Sequence, residues 1–262
     1  MLSTDALEAG LAGCSLAARV QVYRETASTN DLAMRLGGEG APHGTLVFAE
    51  AQTAGRGRLG RRWESAPGLG LWFSLVLRPA FPEALRPRLT LCAAVGAARG
   101  IEAAGGGGVP VGVKWPNDLQ IGGRKIAGIL LESRSGADGF VVAGIGINVN
   151  HDVGDFPETL RGIAGSLRLG FGRPFAREEI ACGVVRSLET AFAAAEHGFA
   201  AIVEECERRS VLLGRAVELR AGEERIAGIA TGIDPETGAL VLRGDDGGHR
   251  RVGFGEVTVI GR

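Results

Sequence analysis

The stretch Val111-Gly112-Val113-Lys114-Trp115-Pro116-Asn117-Asp118-Leu119-Gln120-Ile121-Gly122-Gly123-Arg124-Lys125-Ile126-Ala127-Gly128-Ile129-Leu130-Leu131-Glu132 reads as three strands joined by two turns. Residues 111–115 form a strand that Pro116 stops, because proline has no N–H to give a ladder. Pro116-Asn117-Asp118 is turn chemistry. Residues 119–121 and 125–132 flank Gly122-Gly123, which suits a tight hairpin. Strict alternation along the second arm puts Lys125 on the same face as Ala127, Ile129 and Leu131. A lysine on an apolar face is costly unless it meets an anion or snorkels from the hairpin end. In the next strand, 140–149, Val141, Ala143, Ile145, Ile147 and Val149 share a core face. Val142, Gly144, Gly146 and Asn148 share the other, nearly bare backbone where a ligand or another strand comes close.

On the N-terminal side, residues 1–19 are a lead-in with some helical character and 20–23 a short strand. Ser28-Thr29-Asn30-Asp31 caps a helix carrying Leu32, Met34 and Leu36, which stops at Gly37-Gly38. Residues 45–50 and 71–78 read as strands and 85–104 as a helix. On the C-terminal side, 178–196 is an amphipathic helix and 199–209 a second, parted by Gly198. Past Leu213 short strand-like runs, 216–220, 225–234, 239–243 and 250–253, alternate with turns such as Asp234-Pro235. That is a small all-β, barrel-like module. The organisation expected is a lead-in (1–19), an α+β domain (20–209) and a β module (210–262).

The 262 residues are 45% hydrophobic with a net charge of −1, enough for a full core and without the global charge of a nucleic-acid or membrane binder. Cys14, Cys92, Cys182 and Cys206 form no CxxC, and the four histidines show no metal-ligand spacing. No apolar segment resembles a signal peptide or membrane span, so a cytoplasmic protein is the expectation. One bias is informative. Of 29 basic residues only Lys114 and Lys125 are lysines. A lysine kept in an arginine-rich chain suggests a task for a compact point charge that a planar fork cannot perform.

Gly55-Arg56-Gly57-Arg58-Leu59-Gly60-Arg61-Arg62 packs four arginines beside three glycines. Glycines let backbone approach a ligand, and guanidinium groups fork onto carboxylate or phosphate. Empty, such a loop is expected to repel itself and to be mobile. Its Gly-x-Gly-x-x-Gly pattern is not the dinucleotide fingerprint, which needs a helix directly after it. Here Arg61 to Gly68 reads as loop.

Together these segments resemble the biotin–protein ligase family. The matching pieces are Ser28-Thr29-Asn30, Gln52-Thr53-Ala54-Gly55-Arg56-Gly57-Arg58 with Trp63, Lys114-Trp115-Pro116-Asn117-Asp118, Gly123 to Leu130, and Gly144-Ile145-Gly146-Ile147-Asn148-Val149-Asn150. The resemblance runs from about Val20 to the C-terminus and is looser in the last module, around Leu212 to Arg215 and Gly255-Glu256-Val257. It implies a class II synthetase-like mixed sheet flanked by helices, then an SH3-like β-barrel. Repressor relatives begin with a winged helix of roughly 60 residues; the short lead-in suggests the type lacking that DNA-binding domain.

The implied activity joins biotin to ATP as biotinyl-5'-AMP, releases pyrophosphate, and passes biotin to a lysine of a biotin carboxyl carrier protein. By the resemblance, Ser28, Thr29, Asn30, Gln52, Arg56, Gly57, Trp63, Gly128 and Gly144 line the biotin site, with Arg58 and Lys125 on its carboxylate. Arg61, Lys114, Asn117 and Asn148 join Arg58 and Lys125 around ATP and the adenylate. Lys125, Arg58 and Asp118 are the expected catalytic residues. Mg²⁺ arrives with ATP, near Asp118, rather than in a site held by protein alone. Residues 151–160 cover adenine, with Phe156 as a stacking group. A lipoate or octanoate ligase of the same catalytic fold and a non-catalytic biotin sensor are the competing readings. The Gly-Arg-Gly-Arg loop with Lys-Trp-Pro-Asn-Asp favours biotin. Neither a nucleic-acid nor a membrane partner is expected, and monomer and homodimer stay open.

Overall fold

A computed structural model describes residues 1–136 and 138–260. Seven strands, β1 (Arg19–Thr26), β2 (Thr45–Gln52), β3 (Gly70–Leu77), β4 (Gly112–Lys114), β5 (Asp118–Ile121), β6 (Arg124–Arg134) and β7 (Phe140–Asn148), form one mixed sheet. Their order is β1-β2-β3-β7-β6-β5-β4. β1 and β2 run parallel, linked by the helix α2 (Thr29–Gly38); the other pairings are antiparallel. A short helix α1 (Thr4–Gly10), capped by Ser3, precedes β1.

The two faces of the sheet are built differently. On one, Phe48, Phe73, Leu75, Ala143, Ile145 and Ile147 enter a core shared with α3 (Arg88–Gly105), α5 (Arg177–Ala193) and α6 (Phe199–Arg209). A fully buried leucine or isoleucine contributes roughly 2 kcal/mol, and α3 alone buries Leu89, Leu91 and Ile101. On the other face α2 covers only part of the sheet, burying Leu32, Ala33, Val47, Val76, Phe140 and Val142. Gly128, Gly144 and Gly146 occupy the rest of that face, and there a cavity opens.

After α4 (Leu167–Phe171), α5 and α6, the chain forms a second sheet: β8 (Ala216–Ala221), β9 (Glu224–Ile233), β10 (Leu240–Arg243), β11 (His249–Val252) and β12 (Glu256–Val259). The order β11-β10-β9-β8-β12 brings the last strand back beside the first, as in the expected SH3-like barrel. The two sheets are joined by contacts as well as by chain. Val211 N donates to Val113 O at 3.1 Å, and Trp115 Nε1 donates to Gly238 O at 2.9 Å.

Several boundaries differ from expectation. β1 is twice the length read for it, and α3 begins at Arg88 after a single 3-10 turn. α4 and β12 went unread, being short and carrying weak patterns. The largest correction concerns Lys125. β6 bulges where it pairs with β5: Gln120 faces Lys125 and Leu119 faces Ala127, so Ile126 is an extra residue. A bulge reverses the alternation upstream of it. Ile126, Ala127 and Ile129 go to the core, while Lys125 turns to the opposite face with Gly128. The lysine therefore avoids the apolar face that strict alternation assigned to it.

Among the described residues, no helix is long and apolar enough to cross a membrane. The four cysteines are free thiols; burial pushes Cys92 and Cys206 up to about 12 and also raises Cys14 and Cys182.

Candidate ligand-activation site

The bare half of the sheet floors a cavity of about 1300 Å³. All sixteen residues singled out from the sequence line it: those at the start of α2, those of the arginine–glycine loop, Lys114 to Asp118, Lys125, and the glycines and asparagine of β6 and β7. Residues of the C-terminal part of the chain, Val211, Leu212, Arg215 and Gly255 to Val259, line it too.

One wall is the start of α2. Ser28 caps the helix by accepting from Asp31 N at 3.4 Å. Thr29 donates from its N–H (2.8 Å) and its hydroxyl (3.1 Å) to Gln52 Oε1, and Gln52 Nε2 donates to Ser65 Oγ at 3.0 Å. Asn30 is buried and turned inward. Its Nδ2 donates to Glu132 Oε2 at 2.7 Å, and its Oδ1 accepts from Ser74 Oγ at 2.6 Å. A methyl group on Gly144 would lie 2.0 Å from that Oδ1, so this position of β7 has no room for a side chain.

The loop after β2 is a small hairpin rather than a free coil. Trp63 N donates to Gly55 O (2.9 Å) and Gly57 N to Arg61 O (2.7 Å), with a bridge between Arg56 and Arg62. Leu59, 72% exposed at φ 57°, sits at the tip and anchors nothing. No α-helix directly follows Gly60. The expected self-repulsion is corrected by carboxylates, all but Glu64 distant in sequence. Arg56 pairs with Asp31 and, at 3.4 Å, with Glu132; Arg61 pairs with Glu256 at 2.6 Å; Arg62 pairs with Glu64 at 3.2 Å. These pairs are largely solvated, and each is worth about 1 kcal/mol or less.

Arg58 is different. It is half-buried, and its Nη1 donates to Asn117 Oδ1 at 2.9 Å. Burial pulls its guanidinium below its ordinary range, while Asp118 and Glu256 pull it back up. Asn117 is held in turn, donating through Nδ2 to Ile129 O at 2.8 Å. Beside it, Lys125 Nζ lies 2.7 Å from Asp118 Oδ1 and 5.2 Å from the Trp63 ring centroid. Trp63 lies flat against bare backbone. A methyl group on Gly146 would stand 2.7 Å from its Nε1, and one on Gly128 would stand 2.8 Å from its Cζ3. Asn148 Nδ2 donates to Gly165 O at 2.9 Å, tying β7 to the segment after it. Phe156 stacks on His151 (5.0 Å between centroids), and His151 meets Trp72 edge-on at 6.0 Å. Burial lowers the His151 imidazole, and Asp155 opposes that shift.

Asp31, Ser65, Ser74, Glu132 and Glu256 were not anticipated. Glu132 could have been found by alternation from Gly128 and Leu130. Glu256 could not, being 195 residues from Arg61. Among the described residues, no group of three His, Cys, Asp or Glu is placed to hold a metal ion.

A half-buried guanidinium, a lysine–aspartate pair and an indole over bare strands define an α+β domain built to enclose a small anion. The chain matches the family described as "Biotin/lipoate A/B protein ligase family" over residues 22–150 and "Biotin protein ligase C terminal domain" over 212–259. It is 40% identical over 230 residues to the bifunctional ligase/repressor BirA of Bacillus spizizenii, covering 86% of this chain and 70% of that one. It is 35% identical over 252 residues to the biotin–[acetyl-CoA-carboxylase] ligase of Mycobacterium tuberculosis, covering 88% and 85%. The solved biotin protein ligase of Aquifex aeolicus in complex with biotin and ATP superposes with a TM-score of 0.78 at 30% identity, covering 93% of this chain and 99% of that one. The chain belongs to the biotin protein ligase family.

Proposed function

We propose that this chain activates biotin with ATP and transfers it to a lysine of a biotin carboxyl carrier protein. The observation that carries this reading is the Lys125–Asp118 pair under Trp63, beside Arg58. The biotin carboxylate attacks the α-phosphate of ATP; a P–O bond forms, the bond to pyrophosphate breaks, and biotinyl-5'-AMP remains. A carboxylate is ionised at neutral pH, so this step needs alignment and charge neutralisation rather than a base. Lys125 and Arg58 supply that charge to the carboxylate and then to the acyl-phosphate. Ser28, Thr29 and Gln52, with the Arg56 and Gly57 backbone, take the ureido ring. Asn30, Gly128, Gly144 and Trp63 shape the pocket around biotin, and Arg61, Lys114, Asn117 and Asn148 border the nucleotide.

In the second step the carrier's lysine amine attacks the acyl carbon and AMP leaves. Asp118 receives or orients the amine proton, released from Lys125 once that lysine has turned to the phosphate. Mg²⁺ brought with ATP would supply charge neutralisation at the phosphates, with Asp118 as the protein residue near it. A single carboxylate, Asp118, fits an ion that keeps most of its ligands from phosphate and water. We assign residues 20–209 to catalysis and 210–262 to a β module that closes the phosphate end. We place the protein in the cytoplasm, where its free thiols stay reduced.

Biotin-dependent ATP–pyrophosphate exchange tests ligand, nucleotide and chemistry together. Exchange driven by lipoate but not biotin would assign the chain to lipoate activation. Biotin binding without exchange would make it a sensor.

Arg58→Gly is expected to keep part of the exchange activity but to release the adenylate, because a mixed anhydride held by fewer charge-assisted bonds dissociates faster. Biotinylation of bystander proteins should rise about tenfold or more, read by mass spectrometry. Labelling confined to the carrier would remove the retention role.

Limited trypsin digestion reads the loop. Cleavage between Gly55 and Trp63 should be fastest in the free protein, slower with biotin, and slowest with biotin plus ATP. The first cuts should follow Arg61 and Arg62, whose side chains are largely exposed, ahead of Arg58, which Asn117 holds half-buried. Equal cleavage in all three states would show that the loop does not close over ligand.

A further inference from the structure

Glu132 lies on the cavity face of β6, beyond Gly128 and Leu130, behind the wall. It is not among the residues that line the cavity. Its two oxygens nonetheless meet two separate parts of the site. Oε2 accepts from the buried Asn30 amide at 2.7 Å, and both oxygens lie 3.4 Å from Arg56 Nη2. Asp31 reaches the same guanidinium from the first turn of α2. Asn30 is fixed from its other end by Ser74, whose hydroxyl also lies 2.8 Å from Thr29 Oγ1; Thr29 continues to Gln52 and Ser65. One carboxylate thus closes a circuit that starts in the loop, crosses β6, passes under α2 and returns to the residue just after the loop.

We propose that Glu132 is a positioning residue: it clamps the Arg56 side chain so that the Arg56–Gly57 backbone stands at a fixed height above Thr29 and Gln52. Arg56 then contributes to ligand capture through its main chain, and its guanidinium serves only as a handle. The role assigned to the Arg56 backbone rests on the reading given under Proposed function, but the clamp itself does not. Glutamine at 132 can still accept from Asn30 and keeps the shape, yet loses the charge that holds Arg56. Methionine at 56 keeps the backbone and the aliphatic stem and removes the handle from the other side.

The clamp is measured first without ligand. Amide hydrogen exchange at Arg56 and Gly57 should be faster in Glu132→Gln than in the wild type, and at least as fast in Arg56→Met, which also gives up the Asp31 contact. The double variant should be no faster than Arg56→Met, because that variant already removes the contact that Glu132→Gln weakens. The second measurement is biotin-dependent pyrophosphate exchange. KM for biotin should rise about fivefold in Glu132→Gln, at least as much in Arg56→Met, and no further in the double variant than in Arg56→Met, as for partly solvated charge pairs. The kcat at saturating biotin and KM for ATP should stay within about twofold, the signature of lost ground-state binding. Glu132→Asp, which keeps the charge, should recover part of the loss. Unchanged amide exchange in Glu132→Gln, additive effects in the double variant, or a fall in kcat with KM unchanged would each overturn the proposal. If the wild type shows no biotin-dependent exchange, the functional reading fails while the ligand-free arm still decides the clamp. If Glu132→Gln does not fold, Arg56→Met and Glu132→Asp carry the same comparison.

Discussion

Lys125→Arg is expected to reduce biotin-dependent pyrophosphate exchange by about 10³-fold or more, although the positive charge is kept. Loss of one preorganised donor to developing charge typically costs 10²- to 10³-fold, and here the replacement also obstructs. The space is defined by three neighbours. Lys125 Nζ is 2.7 Å from Asp118, it faces the Trp63 ring at 5.2 Å, and its Cε would lie 3.2 Å from a methyl group on Gly128. A planar fork does not fit under the indole without moving it; a fork that swings out pairs with Asp118 and leaves the carboxylate site empty. The fold should survive, since the residue is partly exposed and an ion pair with Asp118 is still available. Thermal unfolding within about 2 °C of the wild type, with exchange abolished, is the result to look for. Exchange close to the wild-type rate would remove Lys125 from the chemistry.

The largest expected effect on stability lies outside the cavity. Glu50, at the end of β2, is almost fully buried and accepts from Arg177 Nη1 (3.0 Å) and Nη2 (3.1 Å) and from Leu2 N. Arg177 also donates to Gly70 O at 3.2 Å, joining β2, β3, α5 and the N-terminal segment. Glu50→Ala strands a buried guanidinium, which costs about 3–5 kcal/mol. For a chain of this size that lowers the melting temperature by roughly 6–20 °C. Glu50→Leu combined with Arg177→Met should cost much less, because no charge is left unpaired. Burial alone would raise the Glu50 carboxyl, but the Arg177 hydrogen bonds, the Leu2 N–H, the Arg177 charge and the N-terminal amine outweigh it, so its pKa lies below the usual 4.5. A carboxylate depressed in this way stabilises fully above its ordinary pKa and progressively less as the pH falls through its folded value. The stability gap between wild type and Glu50→Ala should therefore be constant near neutrality and shrink below about pH 4.5. A gap independent of pH down to acid unfolding would contradict the ion-pair account.

The hairpin from Val111 to Glu132, the bare face of β7 and the capped start of α2 were legible because each depends on local chemistry: a proline, a glycine pair, a two-residue period, a serine cap. Lys125 was legible by its rarity, but its direction was not. Ile126 looks like any other β-branched residue, and only its lack of a partner across from Leu119 and Gln120 marks the bulge. The arginine–glycine loop was misjudged for a related reason. Its charges were counted without the acids at Asp31, Glu132 and Glu256, which reach it across 25, 76 and 195 residues of chain. Local sequence reports an element's preferences; the pairing of distant charges exists only once the sheet has assembled. The second sheet shows the same limit. Four of its strands were apparent from turn residues, while β12 shows itself through its pairing with β8.

The chain has three tryptophans and one tyrosine, and all three tryptophans stand at the cavity or against a residue that lines it. Trp63 and Trp72 stand 6.3 Å apart at the cavity, close enough to exchange excitation, so light absorbed by either reports on whatever covers Trp63. Trp115 lines the same cavity and is bonded through Nε1 to Gly238 O across the junction of the two sheets. The unlabelled molecule thus watches its cavity from two places, a coupled indole pair over the bare strands and a single indole where the cavity meets the joint between its halves. A ligand that covers only Trp63 should alter the emission of the pair, while one that works the halves apart should alter that of Trp115 as its bond to Gly238 O is lost.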